Sequence, residues 1–137
     1  MKETILVVDD SLPTLHITAD LLKDQGMQVI ETLNPITAIE IVKTHQIAVV
    51  VSDYYMPQMT GNELLQQIKE VSPSTIRIMM TSAGRMSTVL TAVNQGEVFR
   101  FIRKPYEDKE MIEAVNQGIL RYRELEVLRL AMETKRI

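Results

Sequence analysis

Apolar positions along the chain follow two rhythms. Five short runs rich in Val and Ile, TILVV (4–8), MQVIE (27–31), IAVVVS (47–52), TIRIMMT (75–81) and VFRFI (98–102), read as strands. Three of them are almost continuously apolar instead of alternating, as strands covered on both faces should be, so the sheet is expected to be parallel.

Between these runs the apolar residues recur at helical spacing. Ser11 as cap, Pro13 in the first turn and Gly26 as stop frame a first helix that buries Leu15, Ala19 and Leu22. Asn34-Pro35 opens a second with Ile39 and Val42 inward, and Leu64, Leu65, Ile68 and Val71 form the stripe of a third before Pro73. Ser87 to Gln95 predicts a short fourth helix stopped by Gly96, and a fifth starts at Glu107. Good helix formers continue after Gly118 without Gly or Pro, so the fifth is expected to run on as one long helix. Its far part cannot bury everything on one small domain. Tyr122, Leu125, Leu128 and Met132, spaced three, three and four apart, fit either a short coiled-coil seam or a helix packed on its own domain.

Strand and helix alternating five times point to a doubly wound α/β domain, with right-handed crossovers placing helices on both faces of the sheet. Such folds bind ligands beyond the carboxyl ends of the strands. At those ends stand Asp9-Asp10, Asp53, Thr81-Ser82 and Arg103-Lys104-Pro105, all on one edge if the sheet is parallel. A lone Asp after a strand is ordinarily a cap or turn former, and Asp10 by itself fits that role. Acids, a hydroxyl and a Lys at four separate strand ends are a different matter. Three carboxylates repel one another unless a cation neutralises them, and oxygen-only donors favour the hard ion Mg²⁺. With Lys104 opposite the metal and Ser82 offering a hydrogen bond, the edge resembles a receptacle for a phosphoryl group.

Composition narrows the alternatives. The chain has 137 residues, 45% of them hydrophobic, enough for one full-sized core. A formal charge of −3, with no basic cluster interleaved with aromatics, disfavours nucleic-acid binding. Cysteine is absent, which excludes disulfides and thiolate metal sites. The N-terminal apolar run meets Asp9-Asp10 almost at once, so neither signal peptide nor membrane span is expected, and a cytoplasmic location follows. His16, His45 and the nine Met are assigned to surface or packing roles.

The motifs themselves resemble the receiver domains of two-component response regulators. ILVVDDS looks like that family's first strand with its acidic pair, VVVSDYYMPQMTGNELL like its phosphoacceptor segment, MMTSAG like its hydroxyl-bearing strand end and FIRKP like its fifth strand; the likeness runs over roughly residues 4 to 122. The resemblance implies a flavodoxin-like five-stranded sheet in the order 2-1-3-4-5. It implies that Asp53 accepts a phosphoryl group from a histidine kinase or phosphotransfer protein. Asp9, Asp10, Asp53 and the Tyr55 backbone carbonyl would hold Mg²⁺, and Ser82 and Lys104 would grip the phosphoryl oxygens. Ser82 and Phe101 would act as the switch pair, Tyr55 and Gly84 would tune phosphate lifetime, and Lys104-Pro105 would be cis.

The expected organisation is a receiver over residues 1–122 and a helical extension or linker over 123–137. Activity would be confined to the chain's own phosphotransfer and dephosphorylation. The output would be a downstream effector or partner, with a homodimer through the fourth and fifth helices and the C-terminal helix as one route. The segment GEVFRFIRKPYEDKEMIEAVNQGILRYR resembles receivers joined to cyclic-di-GMP phosphodiesterase, cyclase or kinase modules. Two other readings stay open at this point. One is a Mg²⁺-dependent phosphatase with an aspartyl nucleophile, although that chemistry wants a second Asp where Tyr55 stands; the other is a pseudo-receiver that only dimerises.

Overall fold

The computed structural model describes residues 2–92 and 98–135. Five parallel strands form one sheet in the order β2-β1-β3-β4-β5: β1 (Thr4–Val8), β2 (Gln28–Thr32), β3 (Ile47–Asp53), β4 (Ile76–Ser82) and β5 (Arg100–Lys104). The helices are α1 (Leu12–Asp24), α2 (Pro35–Thr44), α3 (Gly61–Val71), α4 (Met86–Ala92) and α5 (Asp108–Lys135), with a short 3₁₀ turn at Ala83–Arg85 before α4. This is the doubly wound, flavodoxin-like arrangement expected from the sequence.

Alternation along the strands divides the core between the two faces. Leu6, Val8, Val50 and Met79 pack with Ala38, Ile39 and Val42 of α2, Leu64, Leu65 and Ile68 of α3, and Val89 of α4. Ile5, Val7, Val49, Val51, Ile78, Met80 and Ile102 pack on the other face with Leu15 and Leu22 of α1 and Met111, Ala114 and Val115 of α5. Every residue of β3 is buried, which explains why its sequence is apolar without alternation.

Several sequence expectations shift in detail. β5 starts two residues later than VFRFI implies, because Val98 turns into the core ahead of the ladder while Lys104 completes the pairing opposite Ser82. Ser11 occupies the N-cap position of α1 but its hydroxyl caps nothing there; its backbone N–H instead donates to Asp9 Oδ1 at 2.9 Å. Asn34 and Thr60 do cap, with Thr60 and Glu63 forming a reciprocal capping box. Val71 is exposed, so the α3 stripe ends at Ile68. α4 begins at Met86, and the expected end of that helix at Gln95 and Gly96 lies outside the described residues.

The long fifth helix is present, and Gly118 sits inside it. A β-carbon there would come 3.0 Å from Val49 Cγ2 and 3.3 Å from Ile76 Cγ2, so the missing side chain lets α5 press onto β3 and β4. Beyond it, Tyr122 and Leu125 still pack against the domain, whereas Leu128 and Met132 are 57% and 60% exposed. Arg123 anchors this stretch through a bidentate pair with Glu3, at 2.6 and 2.8 Å.

Candidate phosphoacceptor site

β3 and β5 end in the charged residues Asp53 and Lys104, and Asp9 follows β1 directly at the same sheet edge. Asp9, fully buried, accepts from the Ser11 N–H and lies 3.4 Å from Lys104 Nζ through its Oδ2. Asp53 ends the buried β3 and lies 3.1 Å from the same ammonium through Oδ1. Lys104 thus bridges two carboxylates. The Lys104-Pro105 peptide is cis, as the motif implies, and Tyr106 beyond it hydrogen-bonds Thr18 of α1 at 2.5 Å. That bond ties the loop that follows Lys104 to α1, a tie that no motif in the sequence announces.

One carboxylate oxygen from each of Asp9, Asp10 and Asp53 lies within 4.8 Å of the others. Lys104 pairs with two of these three acids, which leaves an excess of negative charge in a half-buried place. Burial is the chief force raising the Asp53 carboxyl above the usual carboxylate range; Lys104 works against it and Asp9 adds to it. An all-oxygen cluster of this charge is the donor chemistry of a hard divalent cation such as Mg²⁺. The residues present therefore fit such an ion.

A recess of about 310 Å³ opens at Asp53, lined by Asp53, Tyr55, Thr81, Ser82, Arg85 and Lys104. Tyr55, Ser82 and Lys104 were all expected here. Gly84 is exposed in the 3₁₀ turn and does not line the recess, while its neighbour Arg85 does. Phe101 also lies elsewhere, half-buried against the cluster that holds Met79, Val89 and Val98.

Two residues of the recess escape a reading of the motifs alone. Thr81 is 1% exposed, and its Oγ1 is buried without a hydrogen-bond partner among the described residues, whereas Ser82 beside it is exposed. The dipeptide Thr81-Ser82 shows two hydroxyls; only burial distinguishes them. Arg85 stacks on the Tyr55 ring with its guanidinium carbon 4.2 Å from the ring centre, and Tyr55 meets Tyr54 edge-on at 4.7 Å. Nothing at the level of sequence spacing pairs Arg85 with Tyr55.

Comparison with known proteins finds similarity over most of the chain. The profile of the response regulator receiver domain matches residues 5–116. The chain is 33% identical over 120 residues to the chemotaxis protein CheY of Bacillus subtilis, covering 87% of this chain and 99% of that protein. It is 31% identical over 118 residues to the DNA-binding transcriptional regulator NtrC of Azospirillum brasilense, covering 85% of this chain but 24% of that one. A crystal structure titled adenylate cyclase, from Rhodopirellula baltica, superposes with a TM-score of 0.87 at 29% identity, over 97% of this chain and 98% of the other.

Proposed function

The chain belongs to the response regulator receiver family, the phosphoacceptor modules of two-component phosphorelay signalling, and we propose that its acceptor is Asp53. The observation that carries the assignment is the position of Lys104 Nζ, 3.1 Å from Asp53 and 3.4 Å from Asp9, beside a triad of acid oxygens within 4.8 Å.

In this reading an ionised Asp53 oxygen attacks the phosphorus of a phosphohistidine on a kinase or phosphotransfer protein. A P–O bond forms, the P–N bond breaks and the imidazole leaves with its electron pair. Asp9, Asp10 and Asp53, with the Tyr55 backbone carbonyl, would hold a divalent cation, which would supply positive charge against the phosphoryl oxygens. Lys104 stabilises the ionised nucleophile before transfer and grips an equatorial oxygen after it. The acyl phosphate then returns to carboxylate and phosphate by hydrolysis, so the chain works stoichiometrically on itself.

Sequence reasoning gives the switch hydroxyl to Ser82. The buried, unpartnered Oγ1 of Thr81 favours Thr81 for the main part, with Ser82 as an exposed second donor. Leaving a buried hydroxyl unmade costs about 1–3 kcal/mol, and an arriving phosphoryl oxygen supplies the missing partner. Movement of Thr81 toward it would loosen the packing at Phe101, one strand over in β5, and so reshape the face built from α4, β5 and α5.

The output lies with an effector or a partner. The family match ends at residue 116 and α5 continues to Lys135, which supports a receiver over 1–122 followed by a helical extension over 123–137. The exposed Leu128 and Met132 continue the stripe that packs α5 on its own sheet, which supports a homodimer through this helix. The likeness to a structure titled adenylate cyclase supports a nucleotide-cyclase type of output among those the sequence suggests. No described helix is long and apolar enough to cross a membrane, in keeping with a cytoplasmic location.

Incubation with Mg²⁺ and a small acyl phosphate, followed by intact-mass measurement, tests the assignment. The wild-type chain gains one phosphoryl group and Asp53→Ala gains none. Equal labelling of both would defeat it.

A further inference from the structure

Arg85 and Tyr55 come from different loops, one just before α4 and the other just after β3, and they meet across the mouth of the recess above Asp53. We propose that Arg85 is a second phosphoryl-binding cation, parked on the Tyr55 ring while Asp53 is free and drawn off it when Asp53 carries phosphate.

Charge balance supplies the reason, and it rests on the reading of Asp53 given above. With a divalent cation bound, the three carboxylates of Asp9, Asp10 and Asp53 are matched by that ion together with Lys104. Arg85 has nothing to neutralise in that state. A stacked position over Tyr55, where the ring face attracts the guanidinium, is then its favourable resting place. Phosphorylation exchanges the single charge of Asp53 for a group carrying close to two at neutral pH, so one negative charge is left uncompensated in a recess that Arg85 already lines. A planar guanidinium meets phosphoryl oxygens with two parallel N–H donors, which an ammonium cannot do.

The move has a mechanical consequence. Arg85 is the last residue of the 3₁₀ turn and is followed directly by Met86, the first residue of α4. A guanidinium pulled toward Asp53 therefore draws on the start of α4, while its departure uncovers the Tyr55 ring, already 37% exposed, and alters the edge-on contact with Tyr54. One charge-driven step would thus act on both loops that frame the site.

Beryllofluoride with Mg²⁺, a phosphoryl mimic followed by fluorine NMR, tests this in the intact chain alongside a titration with Mg²⁺ alone. Arg85→Gln is expected to lower affinity for the mimic about tenfold relative to affinity for Mg²⁺, and Arg85→Lys to recover part of the loss. The chain has four Tyr and no Trp, so tyrosine emission reports the second half of the proposal. Mimic binding should change the emission of the wild type, and both Tyr55→Leu and Arg85→Gln should remove most of that change. Wild-type mimic affinity in Arg85→Gln, or an emission change that persists in it, overturns the proposal. Failure of the wild type itself to bind the mimic would instead strike the assignment of Asp53.

Discussion

Gly61 lies so close to the backbone of Asp53 that a β-carbon on it would run into the Asp53 carbonyl oxygen and come within 3.0 Å of the Tyr54 α-carbon. The Gly61 N–H donates to the Tyr54 carbonyl at 2.7 Å in the same approach. The first residue of α3 is thus seated on the strand end that carries the acceptor. Gly61→Ala must push these two backbones apart, and neither is a side-chain tip that can swing away. A loss of roughly 2 kcal/mol or more is expected from overpacking of this kind, read as a lower midpoint in urea, together with slower phosphorylation.

The two hydroxyls at the end of β4 should separate cleanly. Thr81→Val replaces an unpartnered buried oxygen by a methyl group of similar size, so the unphosphorylated chain should become more stable by about 1 kcal/mol. The same substitution should weaken binding of a phosphoryl mimic. Ser82→Ala, at an exposed position, should change stability little and mimic binding less than Thr81→Val does. Thermal melts with and without the mimic measure both effects, and a reversed ranking would return the main role to Ser82.

Asp53 also leaves a mark on stability. Its carboxyl is raised above the ordinary range, first by burial and then by Asp9, against the pull of Lys104. For an acid whose folded-state pKa exceeds its unfolded value, ionisation costs stability. The cost is absent below the unfolded pKa of about 3.9, grows as pH rises through the folded pKa, and is complete above it. In the presence of a chelator, Asp53→Asn should therefore melt a few degrees above wild type at neutral pH. The gap should close as pH falls into the carboxylate range. Saturating Mg²⁺ should reverse the comparison, because the ion stabilises only the chain that keeps all three acids.

At Gly118 two effects oppose. Ala would favour the helix by about 1 kcal/mol, yet its methyl group would sit 3.0 Å from Val49 Cγ2 in a full interior. Gly118→Ala should come out mildly destabilising. Combined with Val49→Ala, which opens room, its sign should turn favourable, and a double-mutant cycle in urea measures the coupling.

Much of this molecule is legible in its sequence because its logic is local. Unbroken apolar runs such as IAVVV announce a strand buried on both faces, and the acids and Lys104 stand at or just beyond the ends of the strands. Their convergence needs only the parallel sheet. What the sequence does not disclose depends on distances between elements. Burial separates Thr81 from Ser82, the crossing of two loops brings Arg85 onto Tyr55, and the tie from Tyr106 to Thr18 joins residues 88 positions apart. At Gly118 the sequence predicts a continuing helix but not how near α5 approaches β3 there.

The central claim is that Asp53 accepts phosphate with the help of the acid cluster. Fragment mass spectrometry of the chain treated with Mg²⁺ and a small acyl phosphate locates the modified residue directly. One phosphoryl group is expected within the fragment spanning Asp53, absent when the metal is chelated. A phosphoryl group on any other residue, or undiminished labelling of Asp53 without metal, would contradict it.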